Sequence, residues 1–175
     1  MMPTIGIMVG SASDLDVAAK AADVITEFGV EFEVGVASAH RTPEDVKNYA
    51  QSARARGIKV IIAMAGLSAA LPGVIAAHTT LPVIGVPIAS GPLRGVDALV
   101  SVTQMPPGVP VGSVGIDGAK NAALLALRVL SINDETLAGK LAERAEDAIG
   151  GVRESGKKIS ERGLPPVPHE VYDAR

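Results

Sequence analysis

The chain has 175 residues, of which 47% are hydrophobic and 20% are charged, and its formal net charge is −3. This length suits one domain with a packed core, and the composition argues against a disordered chain. The negative charge and the scarcity of aromatic side chains (two Phe, two Tyr and no Trp) argue against nucleic acid as a partner, because little is present to neutralise phosphates or stack on bases.

The chain contains no cysteine, which excludes disulfide bonds, thiolate nucleophiles and cysteine-ligated metals. No His, Asp or Glu cluster has the spacing of a metal site, so we expect no bound metal. The lack of cysteine fits a cytoplasmic protein. We expect no signal peptide at residues 1–5 and no membrane span, since Gly66 and Pro72 interrupt the apolar stretch at residues 60–77.

Strand and helix patterns alternate along the first 130 residues. Apolar or alternating runs predict strands at residues 4–9, 31–36, 60–64, 82–86 and 109–116. Helical spacing predicts helices at residues 14–28, 43–56, 96–102 and 120–130. A further helix is predicted after the third loop and ends near residue 78. The order indicates an α/β fold with a doubly wound parallel sheet and right-handed crossovers.

The C-terminal part has a different character. Residues 133–162 are charged and helical with one narrow apolar stripe, and residues 163–175 contain three prolines and are expected to form an extended tail. We therefore divide the chain into a catalytic α/β domain at residues 1–132 and a C-terminal helix with its tail at residues 133–175. The helix is expected to cap the same domain or to pack on a neighbouring subunit.

Two loops that follow predicted strands carry candidate binding groups. In the first, Gly10 lets backbone N–H groups approach an anion, and Ser11 and Ser13 add hydroxyl donors. Asp14 would cap the next helix or accept hydrogen bonds from ribose hydroxyls. The alternative, a plain turn with an aspartate cap, is about equally well supported by composition.

In the second loop, Ser38 precedes His40 and Arg41. An arginine can hold a phosphate through two parallel hydrogen bonds, and a histidine can take and give a proton near neutral pH. The alternative is a loop histidine beside a surface arginine. Because ligands bind at the carboxyl ends of strands in such sheets, the position of this pair favours a site.

Two further loops are candidates for the remainder of a pocket. In the third loop, Gly66 would permit a tight turn and Ser68 would cap the following helix, with close helix–sheet packing as the alternative. The segment that begins at Met105 is rich in turn formers and would form a stiff loop or lid.

Several motifs resemble one family of purine-biosynthesis enzymes, the N5-carboxyaminoimidazole ribonucleotide mutases and aminoimidazole ribonucleotide carboxylases. The matching stretches read MVGSASD, SAHRTP, AG with LPG, PVIGVP, QMP, GVPV and NAALLA, in order between residues 4 and 132. The most specific are SAHRTP and QMPPGVPV.

The resemblance implies a three-layer, flavodoxin-like fold with an extra C-terminal helix, a homo-octamer, and no cofactor or metal. It implies that His40 carries the proton in catalysis and that Ser11 and Arg41 face the phosphate of the ribonucleotide. An upstream ATP-dependent carboxylating enzyme would supply the substrate of a mutase. Motifs and loops together give these substrate-binding residues: Gly10, Ser11, Ser13, Asp14, Ser38, Arg41, Gly66, Leu67, Ser68, Ala70 and Met105.

The third loop departs from the mutase pattern. Common bacterial mutases read GGAAHLPG there, whereas this chain reads GLSAALPG and has Ala70 in place of the histidine. Ser68 and Ala70 instead match the pattern GRSNALSG of the CO2-dependent carboxylases. The leading hypothesis is a mutase, with a carboxylase (a lyase) that uses free CO2 as the rival. A non-catalytic or diverged nucleotide-binding protein is the alternative of another class.

Overall fold

The computed structural model describes residues 2–168 and 170–173. Its centre is a parallel sheet with the strand order β2-β1-β3-β4-β5. The strands are β1 (Ile5–Val9), β2 (Phe32–Val36), β3 (Val60–Gly66), β4 (Val83–Ile88) and β5 (Gly112–Ser113). This order is that of the flavodoxin-like fold, so the predicted doubly wound parallel sheet is confirmed.

Five helices cover both faces of the sheet: α1 (Leu15–Glu27), α2 (Pro43–Ala53), α3 (Leu71–Ala77), α4 (Val96–Thr103) and α5 (Ala119–Ser131). Two more follow in the chain, α6 (Glu135–Glu161) and α7 (Glu170–Asp173). Helices α2, α3 and α4 share one apolar core with one face of the sheet, and α1 packs on α5 over the other face. The result is the predicted three-layer arrangement.

Burial along the strands follows their position in the sheet. All residues of β1 and β4 are buried, as expected of central parallel strands covered on both faces. Strand β2 lies at an edge, and its Val34 and Val36 are 46% and 55% exposed. The last strand is much shorter than the predicted 109–116, because Pro110 has no N–H to donate to the neighbouring strand.

A polar cluster joins β2 to α2. Arg56 Nη1 lies 2.7 Å from both carboxylate oxygens of Glu33, and the guanidinium lies 5.0 Å from the ring centre of Tyr49. The Tyr49 hydroxyl points at Gly6 of β1, where a Cβ would overlap it, and it is buried without a hydrogen-bond partner among the described residues. Burial, and then the Glu33 carboxylate, raise the pKa of Tyr49; Glu33 also raises the pKa of Arg56.

The chain divides into two compact units, Met1–Asp134 and Glu135–Arg175. In the second unit, α6 runs for 27 residues without a break at Gly150 and Gly151. Residues 164–168 have no regular structure, as expected, but α7 follows them, and the Pro168 carbonyl accepts the Val171 N–H at 3.1 Å. The rest of the predicted tail lies outside the described residues.

No helix within residues 2–168 and 170–173 is both long enough and apolar enough to cross a membrane.

Candidate active site

The carboxyl ends of the parallel strands bring the candidate loops to one edge of the sheet. The backbone N–H of Ala37 donates to the Val9 carbonyl at 3.0 Å, and that of Gly10 donates to the Met64 carbonyl at 3.2 Å. These bonds continue the ladders beyond the strand ends and fix the loops after β2, β1 and β3 side by side. The order in which strands are added to the sheet reverses between β1 and β3, and open α/β sheets bind ligands at such switch points.

The first loop is closed by its own side chains. Ser11 caps a short 3-10 helix at Ala12–Asp14, and its Oγ accepts the Ser13 N–H at 3.4 Å. The Ser13 hydroxyl donates to Asp14 Oδ1 at 3.0 Å. Asp14 precedes α1 but makes no side-chain hydrogen bond to it, and its other carboxylate oxygen lies toward Gly10. The carboxylate therefore faces the loop rather than capping the helix.

The second loop is organised around Ser38. Its Oγ accepts the backbone N–H of Arg41 at 3.2 Å and the Arg41 Nε–H at 3.5 Å. Its own N–H donates to Thr42 Oγ1 at 3.0 Å, and its carbonyl accepts the Thr42 N–H at 2.8 Å. One serine thus shapes the turn and holds the guanidinium, leaving the terminal nitrogens of Arg41 exposed to solvent.

His40 lies at the tip of this turn. Its side chain is exposed and has no hydrogen-bond or ionic partner in the described part of the chain. No carboxylate holds the imidazole in one tautomer, so either nitrogen is available for proton transfer.

The third loop has a strained backbone at Leu67, whose φ is +55°. The left-handed conformation costs a non-glycine residue about 1–2 kcal/mol, and the common mutase pattern has glycine at this position. The expectation that Gly66 forms the tight turn is wrong, because Gly66 ends β3 and has no positive φ. Ser68 does not cap α3: Ala70 occupies the cap position and makes no side-chain hydrogen bond.

Met105 lies against the third loop's helix. A Cβ on Gly73, in the first turn of α3, would lie 2.9 Å from Met105 Cε and 3.0 Å from its Sδ. The missing side chain at Gly73 therefore makes room for the thioether. This contact joins the segment after α4 to the helix that follows the third loop, so the two predicted elements of an apolar wall are neighbours.

A fourth loop, after β4, was missed by the sequence interpretation. Ser90 packs against Gly66, and Leu67 packs against Gly91, where a Cβ would lie 2.5 Å from Leu67 Cδ2. The signal was present, since small residues and Pro92 follow β4 directly, as small residues follow β1. The contact between Ser90 and Gly66 could not be predicted from the sequence, because the two residues are far apart along the chain.

The described residues contain no group of three or more His, Asp or Glu side chains that could hold a metal ion. The polar groups at this edge include Ser11, Ser13, Asp14, Ser38, His40, Arg41, Ser68 and Ser90. They combine a cation, hydroxyl donors and one carboxylate on the β1 and β2 loops with mostly apolar residues on the β3 loop. Such a surface suits a small anionic ligand that has a polar and a less polar end.

Comparison with known proteins gives one consistent result. A family model described as AIR carboxylase matches residues 4–149. The N5-carboxyaminoimidazole ribonucleotide mutase of Pyrococcus abyssi is 58% identical over 146 residues, which cover 83% of this chain and 84% of that protein. The protein of the same name from Pyrococcus horikoshii is 53% identical over 161 residues, covering 92% and 91%. The crystal structure of Treponema denticola PurE has a TM-score of 0.82 and 32% identity, covering 90% of this chain and 98% of its own. The chain therefore belongs to the AIR carboxylase family.

Proposed function

We propose that this protein is an N5-carboxyaminoimidazole ribonucleotide mutase of purine biosynthesis, which moves the carboxyl group from the exocyclic nitrogen to C4 of the imidazole. The observation that carries the proposal is the 58% identity to a protein of that name over most of both chains. The strand-end loops support it with groups for a phosphate, a ribose and a proton transfer.

The phosphate is assigned to the loops after β1 and β2. The terminal nitrogens of Arg41 bond to none of the described residues while Nε is held by Ser38, so the guanidinium can offer a pair of donors to a phosphate. Ser11 contributes its hydroxyl as a donor, and Gly10 and Ser13 keep the loop small enough for the phosphate to approach it. Asp14, whose carboxylate faces the loop, accepts hydrogen bonds from the ribose hydroxyls.

The imidazole is assigned to the loops after β3 and β4. Gly66, Leu67, Ser68 and Ala70 form one side, and Met105 extends the apolar surface beyond α3. When the N–C bond to the carboxyl group breaks, the product is CO2, which carries no charge and diffuses readily. An apolar, closed pocket keeps CO2 close to C4 until the new bond forms.

We assign the proton transfer to His40. The exocyclic nitrogen gains a proton as its bond to the carboxyl carbon breaks, and C4 loses its proton after it bonds to that carbon. The net result is transfer of one proton from C4 to nitrogen, with no redox change. An imidazole can both accept and donate a proton, so one side chain can perform both steps.

The second candidate is a carboxylase (a lyase) that combines aminoimidazole ribonucleotide with free CO2. Ala70 favours it, because the mutase pattern has histidine there and the CO2-dependent pattern has alanine. A non-catalytic nucleotide-binding protein would retain Arg41 and bind the ribonucleotide without turnover.

The assembly and the cellular setting stay predictions. We propose a homo-octamer in the cytoplasm that needs no cofactor, with residues 1–132 as the catalytic domain and residues 133–175 packed on the same domain or on a neighbour. The exposed Val34 and Val36 of edge strand β2 offer an apolar contact surface. The substrate would come from an ATP-dependent carboxylating enzyme. Light scattering tests the octamer, and a monomer at working concentration would contradict it.

The proposed activity is tested by supplying N5-carboxyaminoimidazole ribonucleotide in buffer freed of bicarbonate. A mutase forms the C4-carboxylate at full rate under these conditions. Turnover that requires added bicarbonate, with the N5-carboxylated compound only decaying, would support the carboxylase. Binding of ribonucleotide without turnover of either substrate would support the non-catalytic alternative.

A further inference from the structure

Ser90 is a polar residue that lies against Gly66 at the start of the third loop and has no assigned role. It comes two residues after the end of β4. Its hydroxyl occupies the position that a Cβ on Gly66 would take, and Ser90 Cβ lies 3.1 Å and the Ile88 carbonyl oxygen 3.3 Å from that position. A side chain at position 66 would overlap the β4 loop, which accounts for the glycine there.

The Ser90 hydroxyl is available to a ligand. It has no hydrogen-bond partner among the described residues, and the residue is half-buried. The hydroxyl is not among the fully enclosed polar atoms without a partner, of which the described part of the chain shows only the Tyr49 hydroxyl. A ligand can reach it without a rearrangement of the core.

The backbone around Ser90 is held in place before any ligand binds. Asp117, whose φ is +54°, accepts the Ala89 N–H on Oδ1 at 2.9 Å and donates its own N–H to the Pro87 carbonyl at 2.9 Å. A carboxylate from the loop before α5 thus fixes the residue next to Ser90. Groups fixed in this way bind without a large cost of ordering.

The turn that follows is equally constrained. Gly91, Arg94 and Gly95 have φ values of +65°, +48° and +89°. Leu67 packs against Gly91, so the loops after β3 and β4 contact each other directly. Ser90 therefore lies in the β4 loop where that loop contacts the β3 loop.

The spacing of the strands sets the scale of the proposed site. Neighbouring strands lie about 4.8 Å apart, so the ends of β1 and β4, with β3 between them, are separated by about 10 Å. A ribonucleotide with its phosphate over β1 and β2 has its imidazole over β3 and β4. The carboxyl group on that imidazole needs a hydrogen-bond donor if water is to be excluded.

We propose that Ser90 donates a hydrogen bond to the carboxylate borne by the imidazole ring, and so distinguishes carboxylated from non-carboxylated ribonucleotides. The inference rests on the proposed function for the position of the ring. A neutral hydroxyl suits the task, because it stabilises a carboxylate and interacts only weakly with the uncharged CO2 formed between the two carboxylated states.

The test compares two ligands on wild type and Ser90→Ala by titration calorimetry. One ligand is the C4-carboxylated ribonucleotide, and the other is aminoimidazole ribonucleotide, which lacks the carboxyl group. We expect Ser90→Ala to weaken binding of the carboxylated ligand about tenfold or more and to change binding of the other by less than about twofold. Ser52→Ala, a serine on the outer side of α2, is the matched control and changes neither.

Ser90→Thr gives an independent second variant, since it keeps the hydroxyl, and it should retain the binding of the carboxylated ligand that Ser90→Ala loses. An equal loss for both ligands, or no loss for the carboxylated one, in folded Ser90→Ala overturns the inference. The proposed function is judged separately by wild-type turnover. If wild type shows no turnover but Ser90→Ala selectively weakens the carboxylated ligand, the inference about Ser90 is supported and the proposed function is not. If wild type binds neither ribonucleotide, both the inference and the proposed function are overturned.

Discussion

Replacement of Arg41 by alanine tests the assignment of the phosphate. In the structure Ser38 holds the Arg41 backbone N–H at 3.2 Å and its Nε at 3.5 Å, and the terminal nitrogens remain free. The variant removes these nitrogens and leaves the hydrogen bond from the backbone. Because Thr42 also closes the turn through Ser38, with bonds of 2.8 and 3.0 Å, we expect the loop to keep its shape.

The magnitude follows from the chemistry of the lost contact. A hydrogen bond to a charged group contributes about 1.5–3 kcal/mol, and Arg41 is exposed, so the lower half of that range applies to each bond. The loss of one such bond, about 1.5–2.25 kcal/mol, weakens binding about 10- to 45-fold. Since the contact is made equally in substrate and transition state, we expect the loss in KM rather than in kcat.

The assay is a binding titration with the ribonucleotide and with the corresponding nucleoside, which has no phosphate. Arg41→Ala should strongly weaken binding of the ribonucleotide and leave binding of the nucleoside unchanged. Arg54→Ala is the matched control, because this exposed arginine bonds to Thr80 at 3.0 Å away from the strand-end loops. Equal effects on both ligands, or no effect on the ribonucleotide, would refute the phosphate contact.

Two further variants test the proton carrier and the buried tyrosine. His40→Asn should lower kcat about 10²- to 10⁴-fold with substrate binding within about twofold of wild type, and near-normal turnover would remove His40 from its role. Tyr49→Phe should leave stability at pH 7 unchanged or raise it by up to about 1 kcal/mol, because the buried hydroxyl has no hydrogen-bond partner among the described residues. Burial raises the folded-state pKa of Tyr49, so above pH of about 10 the unfolded chain ionises first and wild-type stability should fall with pH by up to about 1.4 kcal/mol per unit. Urea unfolding at pH 8 and pH 11 measures this loss, and an equal fall in Tyr49→Phe would contradict it.

The fold was predictable because its signals are local. The buried runs of β1, β3 and β4 and the helical spacing between them fix a parallel sheet, and the turn chemistry at Pro43 marks the start of α2. The position of the candidate loops follows from the same pattern, since parallel strands present their carboxyl ends together.

The unpredicted features depend on contacts between distant residues. The glycine at position 66 was interpreted as a turn, but the residue that needs its space is Ser90. The strained backbone at Leu67 could not be read from the sequence, because leucine rarely adopts a positive φ. The length of β5 was overestimated, because apolar residues around Pro110 continue the pattern where the hydrogen bonds cannot.

The most direct test of the central claim follows the carboxyl carbon itself. N5-carboxyaminoimidazole ribonucleotide labelled with ¹³C in the carboxyl group is converted by the enzyme in a large excess of unlabelled bicarbonate, and the C4-carboxylated product is analysed by mass spectrometry. Retention of the label in most of the product is the result expected of a mutase whose pocket holds CO2. Product that carries only unlabelled carbon would contradict the account and show that the carboxyl group comes from solution.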